Sequence, residues 1–339
     1  MRGSQGTTKD GSWQLVPGAP SPRLGPGVLS YRGFRMDLNR PERRIEFASG
    51  MITMVVNIGG QIRIGPVDTG VATGISGAAP PLSRDSGAGP SAAALPGTGP
   101  SGAGPSGPGL SEPGLSGAKS AARSFTSLVN GPRSEATMGE HAGRVEGVEI
   151  HMAPWMAYTL LGTDMADVRG LMLPLPDVLG SLSGELEERL AGTPRWSDRF
   201  AVLDALLGQR RSEGRAAAPQ VIWAWSELVR SDGLVPLSRL SAVTGWSARH
   251  IELRFRQQIG LSPKTASRVL RIQRALRMLT AGAAPSAAAA ACGFYDQAHL
   301  HRDFKAMTGC TPGEFRLRRE AVKRPLDRIP GRVTSALVR

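Results

Sequence analysis

The chain has 339 residues, room for about two domains at ~100 to 200 residues each, and carries 41 Lys and Arg against 28 Asp and Glu, a formal charge of +13. That excess implies a polyanionic partner or a solvated basic tail. Two cysteines rule out a disulfide scaffold or a Cys-rich zinc site, and no run of ~18 apolar residues is present to cross a membrane. The start of the chain has no apolar targeting segment, so the expected location is the cytoplasm.

Residues 1–27 are polar and rich in Gly, Pro and Ser, and read as a disordered arm. Residues 28–208 read as an α+β domain of strands with packed helices. Met51 to Ile58, the pair Gly59-Gly60, and Gln61 to Ile64 predict a strand, a tight turn and a second strand paired as a hairpin. The stretch at about 66–122 is almost pure Gly, Ala, Pro and Ser and reads as a disordered low-complexity insertion. Strand-like sequence resumes at 123–129 and 145–152, and Pro154 opens a helix over 155–161 that Gly162 stops. Leu186, Leu190, Phe200, Leu203 and Leu207 suggest further helices packed on the strands. His151, Trp155 and Tyr158 are candidates for lining a pocket, with core packing as the ordinary alternative. Residues 209–218, with Arg210-Arg211, read as an interdomain linker.

Residues 219–320 predict an all-α domain. Val221, Ile222, Trp225, Leu228 and Val229 recur at helical spacing, and a second helix begins at Pro236 with Leu237, Leu240 and Val243 inward. After the turn at Gly245, Ser247 caps a third helix. A long helix over about 263–279 carries a stripe of Val269, Ile272, Leu276 and Leu279. A small-residue helix then runs to Cys292-Gly293, and Asp296 caps another in which Leu300 and Phe304 face inward. The pattern is written twice: Gly245 and Gly293 are 48 residues apart, while Ser247 and Asp296, Phe255 and Phe304, Gly260 and Gly309, and Pro263 and Pro312 are all 49 apart. Residues 234–320 hold 14 Lys and Arg against 5 Asp and Glu, a net of +9, and the basic tail at 321–339 adds a net of +4, from 5 against 1.

Two tandem helix-turn-helix units with a basic excess point to double-stranded DNA as the partner. In such a unit the second helix lays its N-terminal residues along base edges in the major groove. The expected recognition helices are 247–258 and 296–307, in successive grooves. Their outward positions are Arg249, Glu252, Leu253 and Arg256 in the first unit, and Gln297, Ala298, His301, Arg302 and Lys305 in the second. Arg suits guanine, Gln suits adenine, Glu suits the cytosine amino group and Leu suits a thymine methyl. Arg268, Arg271 and Arg316 are assigned to phosphates, which set register without naming bases.

The two units, above all Gly293-Phe294 to Phe304 followed by Gly309 and Pro312, closely resemble the DNA-binding domain of the AraC/XylS family of bacterial transcription regulators over about 217–320. Leu160-Leu161-Gly162 and Trp196 to Asp204 resemble the N-terminal half of one actinobacterial branch of that family. The resemblance implies a sequence-specific regulator that works with or against RNA polymerase, as a monomer or homodimer, and whose first domain senses a small-molecule effector or dimerises. Leu253 stands where Arg is common in the family. One alternative is a DNA-repair enzyme sharing the same DNA-binding domain, but residues 1–291 contain no cysteine for its methyl-transfer chemistry. No catalytic residue, cofactor or metal site is expected, and the protein is not expected to be an enzyme. The other alternative, a non-specific architectural binder, would treat random and cognate DNA alike at fixed salt.

Overall fold

The computed structural model describes residues 3–67, 122–321, 327–329 and 332–338, so nearly all of the expected insertion lies outside the described residues. Strands Ser4–Thr8 (β1) and Gly11–Gly18 (β2) form a hairpin, a short 3-10 turn spans Pro22–Gly27, and Val28–Leu38 (β3) and Glu42–Glu46 (β4) follow. Next come Ile52–Gly59 (β5), Ile62–Pro66 (β6), Arg123–Phe125 (β7), Leu128–Asn130 (β8), Thr137–His141 (β9) and Arg144–Met152 (β10). Helix Pro154–Leu161 (α1), strand Met172–Pro174 (β11) and helices Leu175–Leu179 (α2), Leu182–Ala191 (α3) and Trp196–Glu213 (α4) complete the first domain. One sheet has the order β1-β2-β3-β10-β5-β8-β11. The other contains β4-β9-β6-β7 and is extended past β4 by two strands from the chain's end, Asp327–Ile329 (β12) and Arg332–Val338 (β13).

Four expectations change. Residues 4–27 are ordered, because β2 pairs along β3 and the following turn is pinned at long range: Ser21 N and Tyr31 Oη both donate to Asp204 Oδ1, at 2.8 and 2.9 Å. Tertiary contacts of this kind leave no mark on local composition. The strands on either side of Gly59-Gly60 exist but do not pair with each other; β5 pairs with β10 and β8, and β6 pairs with β9 and β7, so the glycines carry the chain between sheets. Gly60 makes that crossing at φ 81°, where a side chain would meet the Arg144 carbonyl. Half of the expected linker is helix: α4 continues through Glu213, with Gln209 Nε2 donating to Glu213 Oε1 one turn on, leaving 214–218 to connect the domains. Part of the basic tail is strand, β13 closing against β4.

Because β6 pairs antiparallel with β7, with Ile64 opposite Arg123, the two ends of the insertion lie side by side. Deleting residues 70–118 is therefore expected to leave the melting temperature unchanged, since joining adjacent ends strains neither sheet and loop closure depends only weakly on length. A drop of several degrees in a thermal melt would show that the insertion is packed.

The second domain comprises helices Pro219–Arg230 (α5), Leu237–Thr244 (α6), Ala248–Ile259 (α7), Pro263–Thr280 (α8), Pro285–Ala291 (α9), Gln297–Thr308 (α10) and Pro312–Ala321 (α11). The stripe of α8 is buried as its spacing implies, and of the three apolar positions of α6 only Leu240 is; Leu237 and Val243 face solvent.

The two domains share cores. Trp225 of α5 and Leu240, Ile251 and Phe255 of the first helix-turn-helix unit belong to the same buried cluster as Met156, Leu160, Leu203 and Leu207 of the first domain. Leu300 and Phe304 of the second unit and Phe315 of α11 cluster with Ile45, Phe47 and Ala48 at the end of β4. Burial at ~25 cal/mol per Å2 of apolar surface makes such shared cores the main force holding the domains in one arrangement.

Candidate nucleic-acid interface

Each unit is a helix, a left-handed glycine turn and a capped second helix. Gly245 follows α6 at φ 69°, and Gly293 sits between α9 and α10 at φ 68°. Only glycine takes this conformation without steric cost, which explains why both units have it at the same place. Ser247 caps α7 by accepting from His250 N at 3.2 Å, and Asp296 caps α10 by accepting from His299 N at 2.7 Å. Gly260 and Gly309 end the two helices at φ 82° and 75°. The 49-residue repeat in sequence is thus a repeat in backbone geometry, and α8 joins the copies as one continuous helix.

The inward residues behave as their spacing requires. Ile251, Phe255, Leu300 and Phe304 are fully buried, and Phe304 meets Phe315 edge to face with ring centres 5.8 Å apart. The outward residues divide by environment. Arg249 and Leu253 of α7 are exposed, Leu253 at 64%. Glu252 and Arg256 pair with each other one turn apart at 2.9 Å, an exposed pair that adds little stability and holds both heads over the same patch. In α10, Gln297, Ala298, Arg302 and Lys305 are exposed, and His301 is half-buried with Nε2 3.3 Å from Gln297 Nε2. Tyr295, in the turn just before the cap, is 95% exposed; periodicity did not single it out, because turn residues have no inward or outward phase.

Two of the three arginines assigned to phosphates are engaged within the protein. Arg268 of α8 donates from Nε and Nη2 to the Asp303 carboxylate of α10, at 3.0 and 2.7 Å. Arg271 donates from Nε to the Cys292 carbonyl at 2.7 Å, bonds the Gly293 carbonyl, and lies 4.1 Å over the Phe294 ring. Both therefore brace the second unit against the joining helix. Arg316 of α11 is half-buried. Cys292 and Cys310 are buried, and burial pushes the Cys292 thiol up, the opposite of what a reactive thiolate needs.

Burial alone would raise the Asp303 pKa, but the hydrogen bonds and charge of Arg268, with His299 and Arg271 nearby, bring it below the ordinary carboxylate range. A depressed carboxylate contributes stability above its unfolded pKa, ~4, and that contribution disappears as pH falls through the lower folded value. Arg268 is 41% exposed, so solvent screening limits the effect. Asp303→Asn is expected to lower stability by ~1 to 2 kcal/mol at pH 7 in denaturant titrations, with the gap to wild type narrowing as pH falls below ~4. A gap that persists unchanged in acid would assign the loss to packing instead.

No helix among the described residues is long and apolar enough to cross a membrane. Residues 240–318, both units except the start of α6, match a family described as a helix-turn-helix domain. Over 66 residues the chain is 39% identical to YbfI of Bacillus subtilis, an uncharacterized HTH-type transcriptional regulator; the match spans 20% of this chain and 24% of that protein's length. It is 30% identical to a solved probable AraC family transcriptional regulator from Rhodopseudomonas palustris, covering 30% of this chain and 97% of that one at a TM-score of 0.28. ToxT from Vibrio cholerae aligns over 89% of this chain and 97% of its own, at 9% identity and a TM-score of 0.40. The family match thus lies across two units of the same capped geometry, and residues 240–318 are a helix-turn-helix domain.

Proposed function

We propose that the protein binds a specific duplex site by laying α7 and α10 into successive major grooves on one face of the DNA, and that its first domain reports a small-molecule signal to them. The observation that supports this most strongly is the repeated geometry: matching turn glycines, matching caps, and two sets of outward polar residues joined by one helix. In this reading Arg302, Gln297, His301 and Lys305 read bases from the second unit, with Ala298 allowing close approach. Arg249, Glu252, Leu253 and Arg256 do so from the first, Leu253 offering its exposed side chain to a thymine methyl. Arg316 contacts phosphate, while Arg268 and Arg271 hold α10 at the angle that presents it and reach phosphate only from their exposed edges. A single chain spans two turns, so a monomer suffices for site recognition, and contact with RNA polymerase or its exclusion follows from where the site lies.

The shared cores favour signalling over simple tethering, because a change in the first domain reaches both units through packed side chains. Selection of bound duplexes from a random pool by the full chain tests the reading. The expected result is two short motifs about 10 base pairs apart, centre to centre, as one helical turn requires. An unenriched pool at a salt concentration that still permits binding would instead point to an architectural binder.

A further inference from the structure

The first domain encloses a cavity of about 100 Å3 between its two sheets. A buried water needs only ~10 to 15 Å3 on that measure, so there is room for a small organic molecule. Phe34, Met36, Val55, Ile62, Ile64 and Leu128 give it an apolar flank. The remaining wall is polar and holds Arg133 and His141, with the Arg32–Glu149 ion pair and His151 beside them.

Arg133 is the anomaly. Its Nε and Nη1 are buried and have no hydrogen-bond acceptor, and burial pushes its pKa down to about 10, the charge of Glu46 offsetting this only in part. His141 is similar: Nδ1 accepts from Gly143 N at 3.2 Å, which places the remaining proton on Nε2, and Nε2 has no hydrogen-bond partner, Glu42 lying 3.6 Å away. Buried donors left unmatched, one of them cationic, are costly enough to be rare unless something else supplies the acceptor. The planar fork of a guanidinium matches a carboxylate in two-point geometry. The apolar flank then suits a hydrocarbon or aromatic body.

The wall of the cavity is also the seat of the DNA-binding units. Asn130, Gly131 and Arg133 line it, and Pro132 between them packs on Gly260, the residue that ends α7; a side chain at Gly260 would meet the Pro132 ring at 2.3 Å. Phe47 and Ser49 line it too. Between them Ala48 accepts from Gln273 Nε2 of α8 at 2.8 Å and donates its N–H to the Met307 carbonyl of α10 at 3.4 Å. One wall segment thus holds the first unit and the other holds the second.

We propose that this cavity is the effector site, that it takes a small organic carboxylate with an apolar body paired to Arg133, and that occupancy is relayed to α7 through residues 130–133 and to α8 and α10 through residues 47–49. This rests on the sensing half of the function proposed above and is independent of which bases the helices read.

The test uses the full chain with sodium hexanoate and sodium benzoate as probes, hexanamide and benzamide as uncharged matches, and inorganic phosphate as an anion without a body. At roughly tenfold over its dissociation constant, at least one acid is expected to raise the melting temperature by roughly 3 to 5 °C, with neither amide nor phosphate doing so. Arg133→Met should abolish that shift while leaving the ligand-free melting temperature equal or higher, because it removes an unmatched buried cation. The same acid should change affinity for the selected duplex at least threefold, and Gln273→Met should weaken that change without removing the thermal shift. No shift with either acid up to ~20 mM, equal shifts with the amides or phosphate, or a lower ligand-free melting temperature for Arg133→Met would each overturn the site. An Arg133-dependent thermal shift with no effect on DNA affinity would overturn the relay, and with it the sensing half of the functional reading. Loss of sequence preference in the ligand-free chain would sink DNA reading by α7 and α10 whatever the acids do.

Discussion

Replacing Arg302 by Ala is expected to weaken binding to the cognate duplex by ~1 to 3 kcal/mol, about 5- to 150-fold, and to relax the preference at one or two adjacent base pairs. The side chain is exposed on the outer face of α10, and the helix beneath it is fixed by the Asp296 cap, the buried Leu300 and Phe304, and the Asp303–Arg268 pair. A rigid base lets a guanidinium discriminate, since little freedom remains to be lost on pairing with guanine. Competition binding with single-base variants at fixed salt separates the two roles open to it. A loss confined to one position assigns base reading; an equal loss on every duplex, with the salt slope reduced by about one, assigns a phosphate contact.

Phe304→Ala is expected to have the largest effect on stability, ~3 to 5 kcal/mol in a denaturant titration. The ring is fully buried, and its removal leaves a cavity between α10 and α11 as well as ending the edge-to-face contact with Phe315. The same cluster contains Ile45 and Phe47 from the first domain, so the damage should not stay within the second unit. One unfolding transition at lower denaturant is the expected result. Two separated transitions, with the first domain unaffected, would mean that the cores are adjacent but energetically independent.

The second domain was legible in the sequence almost residue by residue, because its signals are local. A glycine at a left-handed turn, a Ser or Asp cap and an apolar pair four residues apart are each fixed by backbone geometry within a few positions, and their repetition at a constant interval leaves no other register. The first domain was legible only as strands and a helix. Which strands pair is decided by contacts far apart in the chain: β3 with β10, β4 with β13, and the turn after β2 pinned by Asp204. The polar N-terminus looked disordered because its anchors are tertiary: it pairs along β3, and the turn that follows is tied to Asp204, 183 residues on. Arg268 and Arg271 were placed by surface phase alone, and only the fold shows that α10 and the Gly293 turn come back to meet them. Arg133 left no trace at all, since an arginine between Pro132 and Ser134 reads as an ordinary loop charge until the second sheet closes over it. His151 was flagged as a pocket candidate and does line the cavity, whereas Trp155 and Tyr158 are core.

With two copies of the same device, one chain is expected to read two adjoining grooves. Methylation protection of guanine N7 on the selected duplex tests it directly, because N7 faces the major groove. Two protected blocks on one face, about one helical turn apart and with the second lost in Arg302→Ala, is the predicted pattern. A single protected block, or two blocks that both persist in Arg302→Ala, would contradict it.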